Sequence, residues 1–217
     1  MRDADHIQKY LSLAEEHPEW FAGGSGLNII MDEMRIREAE AEQGIPFGIT
    51  FDNSPYWLTV RDLVEPGFGY ARVLYPARTS GCVCIPRRTD GKYGLLRIFR
   101  HAPRIVSLEF PRGFNEANLS PEENIKKELS EEMNASAESV KLLGTVRQDT
   151  GLCNGAATVY LAVVTDAKAA VGHEGIEKLF WLSRAELFRA IRDGQITDGF
   201  TLSSLMLLHV LEEPKAL

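Results

Sequence analysis

The stretch from Pro111 to Met133 holds the residues of this chain whose types and spacing could do chemistry. Glu128, Glu131 and Glu132 lie close together in its second half. At about 100° per residue they occupy one arc of a helix beside its apolar face, with Glu132 nearest to that face. Carboxylates crowded at the border of a buried face repel each other and lose solvation, so they need a counter-charge. Mg²⁺ prefers such oxygen ligands, and Mn²⁺ is the alternative. The residues alone also fit a solvated acidic helix face.

A helix is predicted to carry these acids because its start signals are present. Ser120 suits the N-cap and Pro121 the first helical position, and Glu123 completes a capping box with Ser120. The predicted buried stripe of this helix consists of Ile125, Leu129 and Met133.

Length and composition favour a globular protein with no broad affinity for polyanions. The chain has 217 residues, 44% of them hydrophobic, and a formal net charge of -7. This charge argues against nucleic acid and membrane surfaces as partners but permits a nucleotide ligand, since a metal can invert the local field. Cys82 and Cys84 are expected on one face of a strand as buried thiols. With no long apolar run for a signal or a membrane span, the cytoplasm is the expected location.

The acidic stretch resembles the Nudix box, whose pattern is G-x5-E-x7-R-E-U-x-E-E-x-G-U with U aliphatic. The spacing from Gly113 to Glu128 and on to Glu132 fits without a gap, and the three carboxylates usually associated with metal are kept. Four positions depart from the pattern: Leu119 for its first Glu, Lys127 for its Arg, Asn134 for its late Gly and Ala135 for its last aliphatic residue. We hypothesise that the changes at 119 and 127 are coupled. The Glu and the Arg that the pattern has at these positions would form an orienting charge pair, and Leu119 removes its acidic member.

The order of predicted elements over about residues 56–211 is similar to the ADP-ribose pyrophosphatase branch of the Nudix family. The matching segments are Arg97–Arg100, Leu108–Gly113, Leu143–Thr145 with Thr150–Gly151, and the acidic loop Glu174–Glu177. The resemblance implies an α/β (α+β) fold in which a mixed β-sheet is sandwiched between helices. We predict a helical amino-terminal extension over residues 1–45, with one helix candidate at 27–42, and a Nudix domain over residues 46–217.

The resemblance also implies roles for the acidic residues. Glu128 and Glu132 are the expected metal ligands, and Glu131 contributes directly or through water. Glu174 is the candidate loop carboxylate, either as the base that deprotonates water or as a further metal ligand. A solvated loop glutamate is the alternative for Glu174.

Several arginines could bind the phosphates of a substrate. Arg97, Arg100 and Arg112, with Arg104, offer planar bidentate donors around the strand that enters the box. Glu109 either orients the substrate or a metal-bound water, or pairs with a neighbouring arginine. Aromatic side chains that could stack on a base are available at Phe99, Tyr56 and Trp57.

Two functions of different classes follow. The first is a Mg²⁺-dependent hydrolase that cleaves the pyrophosphate of a nucleoside diphosphate linked to another moiety, with ADP-ribose or a nucleotide sugar as substrate. The second is a catalytically weak Nudix-fold module that binds such a nucleotide for regulation. By family likeness we also predict a homodimer that uses the β-hairpins before residue 80.

Overall fold

A computed structural model describes residues 6–75, 81–116, 118–165 and 167–212. These residues fall into two compact units, one formed by residues 6–75 and 149–155 and the other by residues 81–148 and 156–212. In chain order the helices and strands are α1 (His6–Glu16), α2 (Glu33–Gln43), β1 (Gly48–Asn53), β2 (Trp57–Val64), β3 (Phe68–Leu74), β4 (Gly81–Arg87), β5 (Tyr93–Arg100), β6 (Ile105–Glu109), β7 (Arg112–Gly113), α3 (Pro121–Met133), β8 (Ser136–Arg147), β9 (Ala156–Thr165), β10 (Ile176–Leu182), α4 (Arg184–Arg192) and α5 (Gly199–Glu212).

The first unit is an antiparallel three-stranded sheet, in the order β1-β2-β3, with two helices. A turn through Pro66 and Gly67 joins β2 to β3 in an antiparallel hairpin. Asp62 is 2% exposed and is neutralised within this unit by Arg72, while the Tyr10 hydroxyl donates to it at 2.5 Å. Removal of Arg72 would leave the buried Asp62 carboxylate uncompensated, which is strongly destabilising.

The helix expected over residues 27–42 begins later, at Glu33, because the preceding segment pairs with β2 instead. The N–H of Ile30 donates to the carbonyl of Leu63, and Ile29 forms a bridge with Val64. Asp32 then caps α2 by accepting from the N–H of Arg35. Backbone pairing with a strand thus replaces the first turns of the expected helix.

The second unit contains a mixed seven-stranded sheet whose main path is β10-β5-β4-β9-β8, with β6 beside β5 and β7 beside β4. β4 and β9 run parallel, whereas the other pairs are antiparallel. A turn at Asp90-Gly91 joins β4 to β5, where Arg87 pairs with Tyr93. The predicted mixed sheet is therefore confirmed.

Both faces of this sheet are covered by helices. Val83 and Ile85 of β4 join a core that includes Leu187 of α4 and Leu205 of α5. The alternate residues Cys82 and Cys84 face the other core, to which α3 contributes Ile125, Leu129 and Met133. The expected sandwich, and the shared face of the two thiols, are confirmed.

Helices precede the first sheet, as the predicted extension requires. Domain boundaries at residues 45 and 46 stay a prediction. Among the described residues no helix is long and apolar enough to cross a membrane.

Candidate active site

Helix α3 places the acidic residues, and it is built as its sequence predicts. The Ser120 side chain accepts from the N–H of Glu123, and the Glu123 carboxylate accepts from the N–H of Ser120. Its apolar stripe is completely buried. At its carboxyl end Asn134 adopts φ 45°, a left-handed conformation that Asn tolerates second only to Gly. Asn134 therefore ends the helix at the position where the box pattern has Gly.

Of the three predicted ligands, Glu132 is withdrawn from solvent and Glu128 is half-buried. Glu132 is 2% exposed, and its Oε2 atom has no hydrogen-bond partner among the residues that the structure describes. Burial, followed by the charge of Glu128, raises the pKa of Glu132 to about 8. Burial likewise raises the pKa of Glu128 to about 7, with Glu131 and Glu174 adding repulsion. Both carboxylates are therefore electrostatically suited to a positive ion.

Glycines bring the β7 backbone close to these acids. A Cβ atom on Gly113 would overlap the Glu128 carboxylate, and one on Gly81 would overlap the Gly113 carbonyl. The backbone N–H of the neighbouring Arg112 donates a hydrogen bond to Glu132. Glycine is thus required at position 113 because the backbone approaches the Glu128 carboxylate too closely for a Cβ atom. Backbone conformation is not the reason, since the φ of Gly113 is not positive.

The loop before β10 carries Glu174 into the electrostatic neighbourhood of these acids. Its charge contributes to the raised pKa values of both Glu128 and Glu132. The segment leading into the loop is tied to the end of α3, because the N–H of Ala170 donates to the carbonyl of Glu132 at 3.0 Å. Glu174 itself is exposed, with φ 45°. Glu174 therefore lies within electrostatic range of Glu128 and Glu132.

Glu109 holds two of the predicted phosphate-binding arginines. It is 2% exposed and lies 2.6 Å from Arg100 and 3.1 Å from Arg112, measured between its Oε2 and each Nη2. Burial alone would raise the pKa of Glu109, but the hydrogen bond from Arg100 and the charge of Arg112 lower it below its ordinary value. Of the two roles considered for Glu109, pairing with arginines is the one seen in the structure.

Asp198 is a further member of this network that sequence reasoning missed. Its Oδ1 lies 3.3 Å from Nη2 of Arg112, and its Oδ2 accepts from the N–H of Thr201 in the first turn of α5. The Arg112 guanidinium also lies over the Phe200 ring, 4.9 Å from its centroid. A capping Asp is a local signal for a helix start, but nothing in its sequence neighbourhood indicates Arg112 as its partner.

Arg97 and Arg104 lie outside this network. Arg97 pairs with the exposed Glu177 at 3.1 Å. Arg104 lies over the Phe99 ring, and its Nη1 is 2.9 Å from Nδ1 of His101. Of the aromatic candidates, Phe99 belongs to this unit, whereas Tyr56 and Trp57 belong to the other one.

The third predicted ligand, Glu131, faces a lysine. Its Oε2 lies 2.6 Å from Nζ of Lys127, and its side chain is 42% exposed. In the described part of the chain, no group of three or more His, Cys, Asp or Glu side chains is already arranged to hold a metal ion. The donor set nevertheless fits a divalent cation, because buried carboxylate oxygens include one without a partner.

Comparison with known proteins decides the family. A model of the NUDIX domain matches residues 77–200, which include the acidic helix and the arginine network. The chain belongs to the Nudix family.

The predicted Nudix resemblance and the assignment to the pyrophosphohydrolases of this family are thereby confirmed. Nudix hydrolases act on small nucleotide compounds and generally use divalent metal ions. The identities of the substrate and of the metal stay predictions.

Structural comparison agrees with this assignment at the level of the fold. A solved structure described as "Crystal structure of ADP compounds hydrolase" is similar to this Nudix protein with a TM-score of 0.60 and 17% identity. The match covers 75% of this chain and 89% of that one. No curated protein matches the sequence.

Proposed function

We propose that this Nudix protein is a Mg²⁺-dependent hydrolase that cleaves the pyrophosphate linkage of a nucleoside diphosphate joined to another moiety. The observation that supports this most is the buried Glu132 Oε2 atom, which has no hydrogen-bond partner among the described residues and lies within electrostatic range of Glu128 and Glu174. An ionised pair of buried carboxylates costs free energy unless a cation binds there. We expect Mg²⁺, with Mn²⁺ as a substitute.

Glu128 and Glu132 would hold the ion, which supplies charge stabilisation to the phosphoryl oxygens and orients the attacking water. By resemblance to the Nudix family, a backbone carbonyl near Arg112 and Gly113 would add a further ligand. Glu131 is held by Lys127, which favours an indirect contribution from Glu131.

Glu174 is the proposed general base. Its carboxylate is exposed and remains close enough to Glu128 and Glu132 to perturb both, so it can meet a water at the edge of the cluster. The Glu174 carboxylate would accept the proton that this water loses as its oxygen bonds to one phosphorus, while the bridging P–O bond breaks and the bridging oxygen leaves on the other phosphate. The alternative role for Glu174 is that of a further metal ligand. In that case its removal would lower the affinity of the protein for the metal.

Arg100 and Arg112 are the proposed phosphate contacts. Glu109 fixes both guanidinium groups, which reduces the side-chain entropy lost when a diphosphate binds. Arg97 lies on the same strand as Arg100, but it is more exposed and pairs with Glu177. We therefore expect Arg97 to contact the substrate only at its periphery.

ADP-ribose is the first substrate to test, and nucleotide sugars are the next. The similar solved structure is described as a hydrolase of ADP compounds, and the strand ending Arg97–Arg100 resembles the ADP-ribose pyrophosphatase branch. Release of AMP from ADP-ribose should require added Mg²⁺ and should be abolished by Glu132→Gln. Glu122→Gln, which removes an exposed acid from the first turn of the same helix, is the matched control and should retain activity.

A nucleotide-binding module with weak catalysis is the second candidate, favoured by the altered box positions Leu119 and Lys127. It makes a different prediction in the same assay. Wild type and Glu132→Gln would then be equally inert while both bind ADP-ribose in calorimetry.

We also propose a homodimer, formed through the hairpins before residue 80, in the cytoplasm. A monomeric mass in solution light scattering would contradict the dimer. Expression of residues 46–217 alone as an active, folded protein would support the proposed domain boundary.

A further inference from the structure

Lys127 connects helix α3 to the loop that precedes it. Its Nζ lies 3.1 Å from Oε1 of Glu116 in that loop and 2.6 Å from Oε2 of Glu131 on the helix. One cation therefore holds a loop carboxylate and a helix carboxylate at once.

Glu116 stands at one end of a turn whose other end is Leu119. The Leu119 N–H donates to the Glu116 carbonyl at 3.1 Å. In such a turn the two end residues have Cα atoms less than about 7 Å apart. The backbones of residues 116 and 119 are therefore close together, and of these two residues only Glu116 carries a carboxylate.

A second attachment fixes the backbone of the same loop. Asn124 of α3 is 1% exposed, and its Oδ1 accepts from the N–H of Glu116 at 3.2 Å. Its Nδ2 donates to the carbonyl of Phe114 at 3.0 Å. The loop is thus bound to α3 through both its backbone and the Glu116 side chain.

This attachment bears on the acidic cluster because the loop begins at Gly113. The Gly113 backbone lies against the Glu128 carboxylate so closely that no side chain fits between them. A shift of the loop by a fraction of an ångström would change the space around Glu128, a proposed metal ligand.

We propose that Glu116 is a positioning residue: through Lys127 it restores the orienting charge pair that Leu119 cannot supply, and it holds the 113–116 loop in register with Glu128. The pair hypothesised from the sequence to have lost one end is completed from a position three residues earlier. The proposal rests on the proposed function only for its catalytic consequence.

The central experiment compares Glu116→Gln with the double variant Leu119→Glu/Glu116→Gln, and Glu122→Gln serves as the charge-matched control. Glu116→Gln should lower kcat/KM for ADP-ribose about tenfold, mainly through kcat, because small displacements at a reacting centre are costly. It should also weaken Mn²⁺ binding in calorimetry and speed hydrogen exchange at the amides of residues 114–116. Leu119→Glu should restore all three properties, whereas Glu122→Gln should alter none.

A double-mutant cycle with Lys127→Gln provides the second test. Because Glu116 acts through Lys127, the effects of Glu116→Gln and Lys127→Gln should be non-additive. Any one of three results would overturn the proposal. These are additive effects of the two variants, wild-type hydrogen exchange and metal affinity in Glu116→Gln, and failure of Leu119→Glu to restore these properties. Should the wild type cleave no nucleotide at all, the proposed function fails, and metal affinity and hydrogen exchange still decide the role of Glu116.

Discussion

One oxygen of Glu109 accepts two hydrogen bonds from Arg100: Oε2 lies 2.9 Å from Nε and 2.6 Å from Nη2. Arg112 approaches the same oxygen with its Nη2 at 3.1 Å and its Nε at 3.3 Å. Two guanidinium groups are therefore held side by side by a single buried carboxylate, next to the acidic helix.

Glu109→Gln should weaken both folding and substrate binding. Loss of the charge leaves Arg100 and Arg112 partly uncompensated, so we expect the free energy of unfolding to fall by about 2 kcal/mol. KM for ADP-ribose should rise, because the guanidinium groups become mobile. Urea unfolding and steady-state kinetics measure the two effects, and unchanged stability would contradict the network described here.

The stability of the metal-free protein should fall as the pH rises from about 5 to about 8. The pKa values of Glu128 and Glu132 are raised in the folded chain to about 7 and about 8, so the folded state binds more protons than the unfolded state between pH 4.5 and these values. The free energy of unfolding decreases over that range by up to about 1.4 kcal/mol per pH unit for each group.

Urea unfolding in EDTA at several pH values would test this dependence, with Glu132→Gln as the diagnostic variant. Glu132→Gln removes one titrating group and should flatten the profile, whereas Glu122→Gln should not. Identical slopes in wild type and Glu132→Gln would show that Glu132 titrates normally.

Added Mg²⁺ should stabilise the wild type more at pH 8 than at pH 5. The ion requires deprotonated carboxylates, which are scarce in the folded chain at the lower pH. Thermal-shift titrations at the two pH values measure the difference, and an equal shift in Glu132→Gln would place the ion elsewhere.

Gly113→Ala should impair activity and stability together. The added methyl group would overlap the Glu128 carboxylate, and overpacking of this kind costs about 1–3 kcal/mol. Gly24→Ala is the matched control, because its Cβ would meet nothing within 4 Å. Comparable Tm values for wild type and Gly113→Ala would show that the loop can move away at little cost.

Glu174→Gln should separate chemistry from folding. As the proposed base is exposed, its amide variant should keep the stability of the wild type within about 0.5 kcal/mol while kcat falls about 100-fold or more. Glu138→Gln, at an exposed acid on β8, controls for the change in net charge. A loss confined to Mg²⁺ affinity would instead assign Glu174 as a metal ligand.

The sequence alone was sufficient for the local features. The Ser120 capping box, the buried stripe of α3 and the position of Glu132 beside it follow from helical periodicity and capping chemistry, which act over a few residues. The alternation of Cys82 and Cys84 onto one face follows from the period of two in a strand. The Gly113-to-Glu132 spacing indicated the family.

Tertiary structure decided which charged groups meet. Glu109 with Arg100, Asp198 with Arg112 and Glu116 with Lys127 are pairs that no local periodicity specifies, because each depends on strand pairing or on the path of a loop. The same holds for residues 27–32, where hydrogen bonding to β2 overrides a helical pattern. Burial is also a property of the folded chain. It raises the pKa values of Glu128 and Glu132, and a bound cation would stabilise their ionised forms.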